Sequence, residues 1–173
     1  MDLILSVRDK TKLRDSNTDE KTFLSVKGTK TLKFPLNFTE SEGLLTPDDW
    51  TVLLNGVSQK TYKKGETILS ANIRSTKLFQ IVKGSCRVEK GQVLGKMETG
   101  EIFGEINFLD GEGTSANVVA DEEETEVVVM RRSALKILFV RHPALAGRFY
   151  HYLSTILSIR FKEREAAYLD PNI

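Results

Sequence analysis

Ile102-Phe103-Gly104-Glu105-Ile106-Asn107-Phe108-Leu109-Asp110-Gly111, followed by Thr114-Ser115-Ala116-Asn117-Val118, is the stretch on which the reading of this chain turns. Two apolar residues run into a Gly-Glu pair, and a short mixed segment closes on a second glycine. Two hydroxyl side chains then precede a small residue and a strand-like run. On either side, from about Val57 to Met130, the chain is written as short strands punctuated by glycine: Thr61-Tyr62 before Lys64-Gly65, Thr67 to Leu69, Lys77 to Val82 before Gly84, Cys86 to Val88 before Gly91, and Val127 to Met130. Short strands with turn signals at this spacing predict an all-β sandwich or barrel.

Helical signals flank the strands. Thr46-Pro47-Asp48-Asp49 has a capping threonine, a proline at the first helical position and two carboxylates at the positive end of the dipole. It opens a helix over 46–55 that carries Trp50, Leu53 and Leu54 on one face and stops at Gly56. After Met130 the period becomes helical. Ser133 is a candidate cap for Ala134 to Val140, His142-Pro143 breaks the run, and a longer helix follows toward Tyr168. Leu145, Phe149, Leu153, Ile156 and Leu157 form its apolar stripe, with Arg148, His151, Thr155, Ser158 and Lys162 opposite.

Together these features resemble the cyclic-nucleotide-binding domain superfamily. Its phosphate-binding cassette runs Phe-Gly-Glu-[Leu/Ile]-Ala-[Leu/Ile], a short variable run, then Arg-Ala-[Ala/Ser]-[Ser/Thr]-Val. The segment Phe79-x-Ile81-x-x-Gly84-x-Cys86-x-Val88 matches the family's strand-turn-strand, and Thr99 to Glu105 its approach to the cassette. The resemblance covers roughly residues 50–165. It implies a mainly β fold with α, an antiparallel β-roll or jelly-roll over 57–130 between an N-terminal helix and C-terminal helices over 133–168, all within a domain of residues 44–173. Residues 1–43 have a different texture and read as an extension. Adding to a sheet edge, docking on a neighbouring domain and being the remnant of a larger protein all remain open for it.

The resemblance also implies a site. Gly104 through Phe108 would turn backbone N–H groups toward an anionic phosphodiester, Gly104 would let the backbone approach the sugar, and Glu105 would accept from a ribose hydroxyl. The expected ligand-binding set is Gly104, Glu105, Ile106, Asn107, Thr114, Ser115, Ala116 and Asn117. Along the cassette, Phe103, Ile106 and Phe108 are expected chiefly in the core, and Asn107 replaces the usual alanine. Asn117 is read either as a base-edge donor or as a solvent-facing strand start, and no purine preference follows. Tyr152 and Tyr168 are the aromatic candidates for a lid from the last helix, although aromatics at helical spacing more often pack in a core.

The main departure is Thr114, which stands where the family's arginine pairs with the exocyclic phosphate oxygens. Losing a charge-assisted bond costs about 1.5–3 kcal/mol, and stranding a buried charge about 3–5 kcal/mol. That corresponds to roughly ten-fold to a few thousand-fold in affinity. Three outcomes stay open: a neutral nucleoside ligand, a weakly held cyclic nucleotide, or a ligand-free scaffold that docks a protein partner.

Composition bounds the rest. With 25 basic and 24 acidic side chains in 173 residues, no overall field draws the chain to nucleic acid or to an anionic membrane. Arg131-Arg132 and the Arg160 to Arg164 segment read as solvated faces, and Asp121 to Glu124 with Glu126 as a solvated hairpin between Val119 and Val127. The single cysteine, Cys86, rules out an internal disulfide and reads as a small core residue. With no basic-then-apolar leader and no membrane-length apolar run, a cytoplasmic setting is expected. The two histidines, His142 and His151, fall in the helical tail, away from any strand cluster that would hold a metal. With Ile173 following so soon after the long helix, no helix-turn-helix is expected in these 173 residues, although the sensor could still be part of a larger protein. The expectation is a non-catalytic regulatory module without cofactor, sensing cAMP, cGMP or a related nucleoside, or else docking a partner or further domains of a larger signalling protein.

Overall fold

A computed structural model describes residues 45–55 and 57–169. The expected extension over residues 1–43 therefore lies outside the described residues, as does the stop at Gly56. The chain opens with α1 (Pro47–Leu54), where Thr46 and Asp49 form a reciprocal capping box. Eight strands and a short helix follow: β1 (Ser58–Tyr62), β2 (Thr67–Leu69), β3 (Lys77–Lys83), β4 (Cys86–Lys90), β5 (Gln92–Met97), β6 (Ile102–Phe103), α2 (Glu105–Asp110), β7 (Asn117–Ala120) and β8 (Thr125–Arg131). The chain then enters α3 (Arg132–Arg141) and the 27-residue α4 (Pro143–Leu169).

The strands form two antiparallel four-stranded sheets, in the orders β1-β8-β3-β6 and β2-β7-β4-β5. β3 and β8 are buried on both faces, and alternation sorts their side chains between two cores. Phe79, Ile81, Val127 and Val129 point between the sheets, onto Leu69, Cys86, Met97 and Val118. Leu78, Val82, Val128 and Met130 point the other way, onto Trp50, Leu53, Phe108, Leu135, Phe149 and Leu153 of the helices. The expected stripe of α4 is accordingly the inner face of a helical layer packed on the first sheet.

Several expectations are corrected. Ser133 caps nothing: α3 begins at Arg132, with Arg131 at the cap position and no side-chain cap bond. β5 was not legible because five of its six residues are exposed, as befits an edge strand without core-facing alternation. The acidic run does not close a hairpin, because β7 and β8 belong to different sheets and residues 121–124 carry the chain from one to the other. Nor is the run merely solvated. Asp121 pairs with Arg87 at 2.9 Å, Glu122 accepts from the Ser85 hydroxyl at 2.8 Å, and Glu124 pairs with Lys83. Arg148 leaves the polar face of α4 to grip Asp49 in a fork, Nη2 to Oδ1 at 2.6 Å and Nε to Oδ2 at 2.8 Å. That guanidinium holds the Asp49 carboxyl below its ordinary range despite burial. Cys86 is fully buried as expected, and burial pushes its thiol up to about 12.

Candidate functional site

The site is built around the turn from β6 into α2. Gly104 sits there with φ of +80°, and a Cβ on it would lie 3.0 Å from the Lys77 carbonyl oxygen and 3.3 Å from the Phe79 ring. Glycine is thus required by the protein's own packing. The turn aims Glu105 inward, where its side chain is only 8% exposed. Phe103 and Phe108 on either side are buried, whereas Ile106 is 55% exposed, so the core expectation for Ile106 is corrected. Three of the six α2 residues stay outside the core: only Asn107 and Phe108 accompany Glu105 inside.

Asn107 is 3% exposed, and its Nδ2 has no hydrogen-bond partner among the described residues. Its carbonyl oxygen accepts from the Gly111 N–H at 2.9 Å and from Arg132 Nη2 at 3.0 Å. Arg132 also donates to the Phe108 carbonyl and lies 5.5 Å from the Phe108 ring centroid, closing the carbonyl end of α2.

The second half of the cassette is pinned to the β2–β3 loop. The Thr114 carbonyl accepts from Asn72 N–H at 2.7 Å, and Asn117 Oδ1 accepts from Ala71 N–H at 2.7 Å. Asn117 therefore serves a loop tie through its oxygen, a role that neither of its sequence readings contained. The Thr114 hydroxyl donates to the Ala116 carbonyl at 3.1 Å, within its own turn. Ser115 is exposed and Ala116 buried.

Arg160 is the site residue that sequence reasoning missed. It reaches from α4 to Glu105, Nη1 to Oε1 at 2.6 Å, donates to the Ile102 carbonyl, and lies 3.7 Å from Glu101. Its placement among solvated arginines is corrected by a side chain only 27% exposed. The signal was available: Arg160 falls one turn beyond Ile156, in the row of Phe149, Leu153 and Ile156 that faces inward. Tyr152 lies in the core, edge-on to Trp50 at 5.4 Å, and Tyr168 is 88% exposed.

The second sheet presents an inward-facing row of small and branched side chains. Val88, Gly95 and Val118 are in register across β4, β5 and β7, on the face that carries Cys86, Met97 and Ala120 toward the roll interior. A Cβ at Gly95 would meet nothing within 4 Å, so the inward face is open at that point.

The sequence comparisons agree with this geometry. Residues 59–142 match the family model described as the cyclic nucleotide-binding domain. The chain belongs to the cyclic nucleotide-binding domain superfamily. It is 36% identical over 176 residues to cyclic GMP-binding protein C of Dictyostelium discoideum, covering 91% of this chain and 7% of that protein. A cyclic nucleotide-binding domain from Methylobacillus flagellatus superposes with a TM-score of 0.69 at 24% identity, over 75% of each chain. The Thermus thermophilus catabolite activator protein does so with a TM-score of 0.60 at 26% identity, over 72% of this chain and 59% of that one. The antiparallel sheets with flanking helices are those of this superfamily. Among the described residues, no helix is long and apolar enough to cross a membrane.

Proposed function

We propose that this cyclic nucleotide-binding domain is a non-catalytic sensor of a cyclic purine nucleotide within a larger signalling protein, and that it reports occupancy through α4. The observation that carries the reading is the buried Glu105, held at the start of α2 and gripped by Arg160 of α4. A ribose hydroxyl donating to Glu105 must share that carboxylate with Arg160 or displace it. Ligand occupancy and the position of the distal half of α4 are then coupled. The ligand shifts the helix by its differential affinity for the two arrangements and by no more. In this reading Gly104, Ile106 and Asn107 lie along the phosphate side and Thr114, Ser115, Ala116 and Asn117 form the opposite rim. The base lies on the open face at Gly95, between Val88 and Val118.

Calorimetric titration with cyclic GMP, cyclic AMP, guanosine and adenosine tests the reading, and the name of the 36% identical relative puts cyclic GMP first. Saturable binding of a cyclic nucleotide that is lost in Glu105→Ala is the expected result. Silence toward all four at millimolar concentration overturns it. A partner-docking scaffold is the second reading, favoured by the exposed Ile159, Phe161, Tyr168 and Leu169 on the distal half of α4.

A further inference from the structure

Thr114 leaves the cassette without a cation of its own, and an anionic ligand there needs one. Arg132 and Arg160 border the cassette, but both are committed to carbonyl and carboxylate oxygens around α2. Arg74 is placed differently. It stands on the β2–β3 loop in an isolated antiparallel bridge opposite Gly113, the residue before Thr114. That loop is tied to the cassette by the bonds from Asn72 to Thr114 and from Ala71 to Asn117. It lies so close that a Cβ on Gly113 would come within 3.1 Å of the Asn72 backbone. Bridged residues have Cα atoms roughly 5 Å apart, so the Thr114-Ser115 rim lies within the length of an extended Arg74 side chain.

The Arg74 guanidinium is not buried in a competing role. Its side chain is 77% exposed and pairs with Glu112, at 3.3 Å and itself 68% exposed. Such a pair stabilises little and exchanges readily. The loop also lines a cavity of about 300 Å³ with Ser70, Arg74, Ser75, Thr76 and Lys77. Its apolar floor includes Leu69 and Phe79, the same side chains that crowd Gly104. Hydroxyls and two cations thus flank the turn at which α2 begins.

We propose that Arg74 supplies the positive charge for the ligand's phosphodiester, exchanging Glu112 for the phosphate oxygens beside the Thr114 and Ser115 hydroxyls. This rests on the cyclic-nucleotide reading above and assigns that site its anion-binding residue. A guanidinium fork suits two phosphate oxygens, and the exchange replaces a screened surface pair with a charge-assisted one.

The test is titration of wild type, Arg74→Gln and Glu112→Gln with the cyclic nucleotide and with its uncharged nucleoside, at low and high salt. Thermal unfolding of each variant checks the fold. Arg74→Gln is expected to weaken the cyclic nucleotide about ten- to a hundred-fold, to leave the nucleoside unchanged, and to flatten the salt dependence. Glu112→Gln, which removes the competitor, is expected to tighten the cyclic nucleotide a few-fold. Equal cyclic-nucleotide affinity in wild type and Arg74→Gln overturns the assignment while leaving the sensor intact. A wild type that binds no cyclic nucleotide overturns both, and equal loss of nucleotide and nucleoside in Arg74→Gln overturns the charge role.

Discussion

α4 is held at two places by the same chemistry, an arginine on a mostly buried carboxylate, and the two differ in what the carboxylate does. Near its start Arg148 grips Asp49, which already caps α1 through Thr46. Farther along, Arg160 grips Glu105, which stands at the start of α2 in the cassette. The first carboxylate is fully spoken for by the protein, with two arginine bonds and a backbone N–H. The second accepts from Arg160 and, on the proposed reading, faces the ligand. In that reading, one pair type serves as an anchor near the start of the helix and as a latch farther along it.

Breaking the anchor has the largest expected effect. Asp49→Ala removes a capping-box member, worth about 1 kcal/mol, and strands an arginine that can still reach water, for a further ~1–2 kcal/mol. Urea unfolding is expected to register a total loss of about 2–3 kcal/mol, with ligand affinity unchanged. If affinity falls in step with stability, the two ends of α4 are not distinct.

At the other end, Glu105→Ala is expected to cost binding rather than stability. The loss of a charge-assisted bond to a ribose hydroxyl amounts to roughly ten- to a hundred-fold in affinity by calorimetry. The unfolding midpoint should move little, because Arg160 retains the Ile102 carbonyl and can turn to Glu101.

Arg160→Ala sharpens the contrast from the helix side. It should lower stability by about 1 kcal/mol and raise hydrogen exchange over the turns of α4 beyond Ile156. Added ligand should then no longer alter exchange there. Ligand-dependent protection that persists in this variant would mean that the coupling runs through other contacts.

The smallest effect is a pH signature of the anchor. The Asp49 carboxyl titrates below its ordinary value of 3.8 because Arg148 favours its charged form. The pair's contribution is therefore complete above that value and is lost as pH falls through the lower, folded-state value. Asp49→Asn should flatten the acid limb of the stability curve below about pH 4, by on the order of 1 kcal/mol or less given the exposure of Arg148. An unchanged acid limb would remove Asp49 from the account of the anchor.

Much of this molecule was readable from local pattern. The cap at Thr46, the glycine-punctuated strands, the Gly104-Glu105 turn and the stripe through Leu145, Phe149 and Leu153 are all local signals, with periods of two or 3.6 residues or a fixed turn chemistry. The edge strand β5 escaped because an exposed strand has no core-facing alternation to read. The acidic connection was misread because a turn signal does not say which sheet receives the next strand.

The sequence by itself determined the superfamily, the helices and most of the strands, and the place of the glycine and carboxylate at the cassette. Those depend on residues close together in the chain. Tertiary structure alone decided that Arg148 anchors, that Arg160 latches the cassette carboxylate, and that Arg74 stands beside Thr114. Each of these relations joins residues tens of positions apart. A charged side chain carries no mark of its partner until packing has excluded water from one side of it and brought the opposite charge within reach.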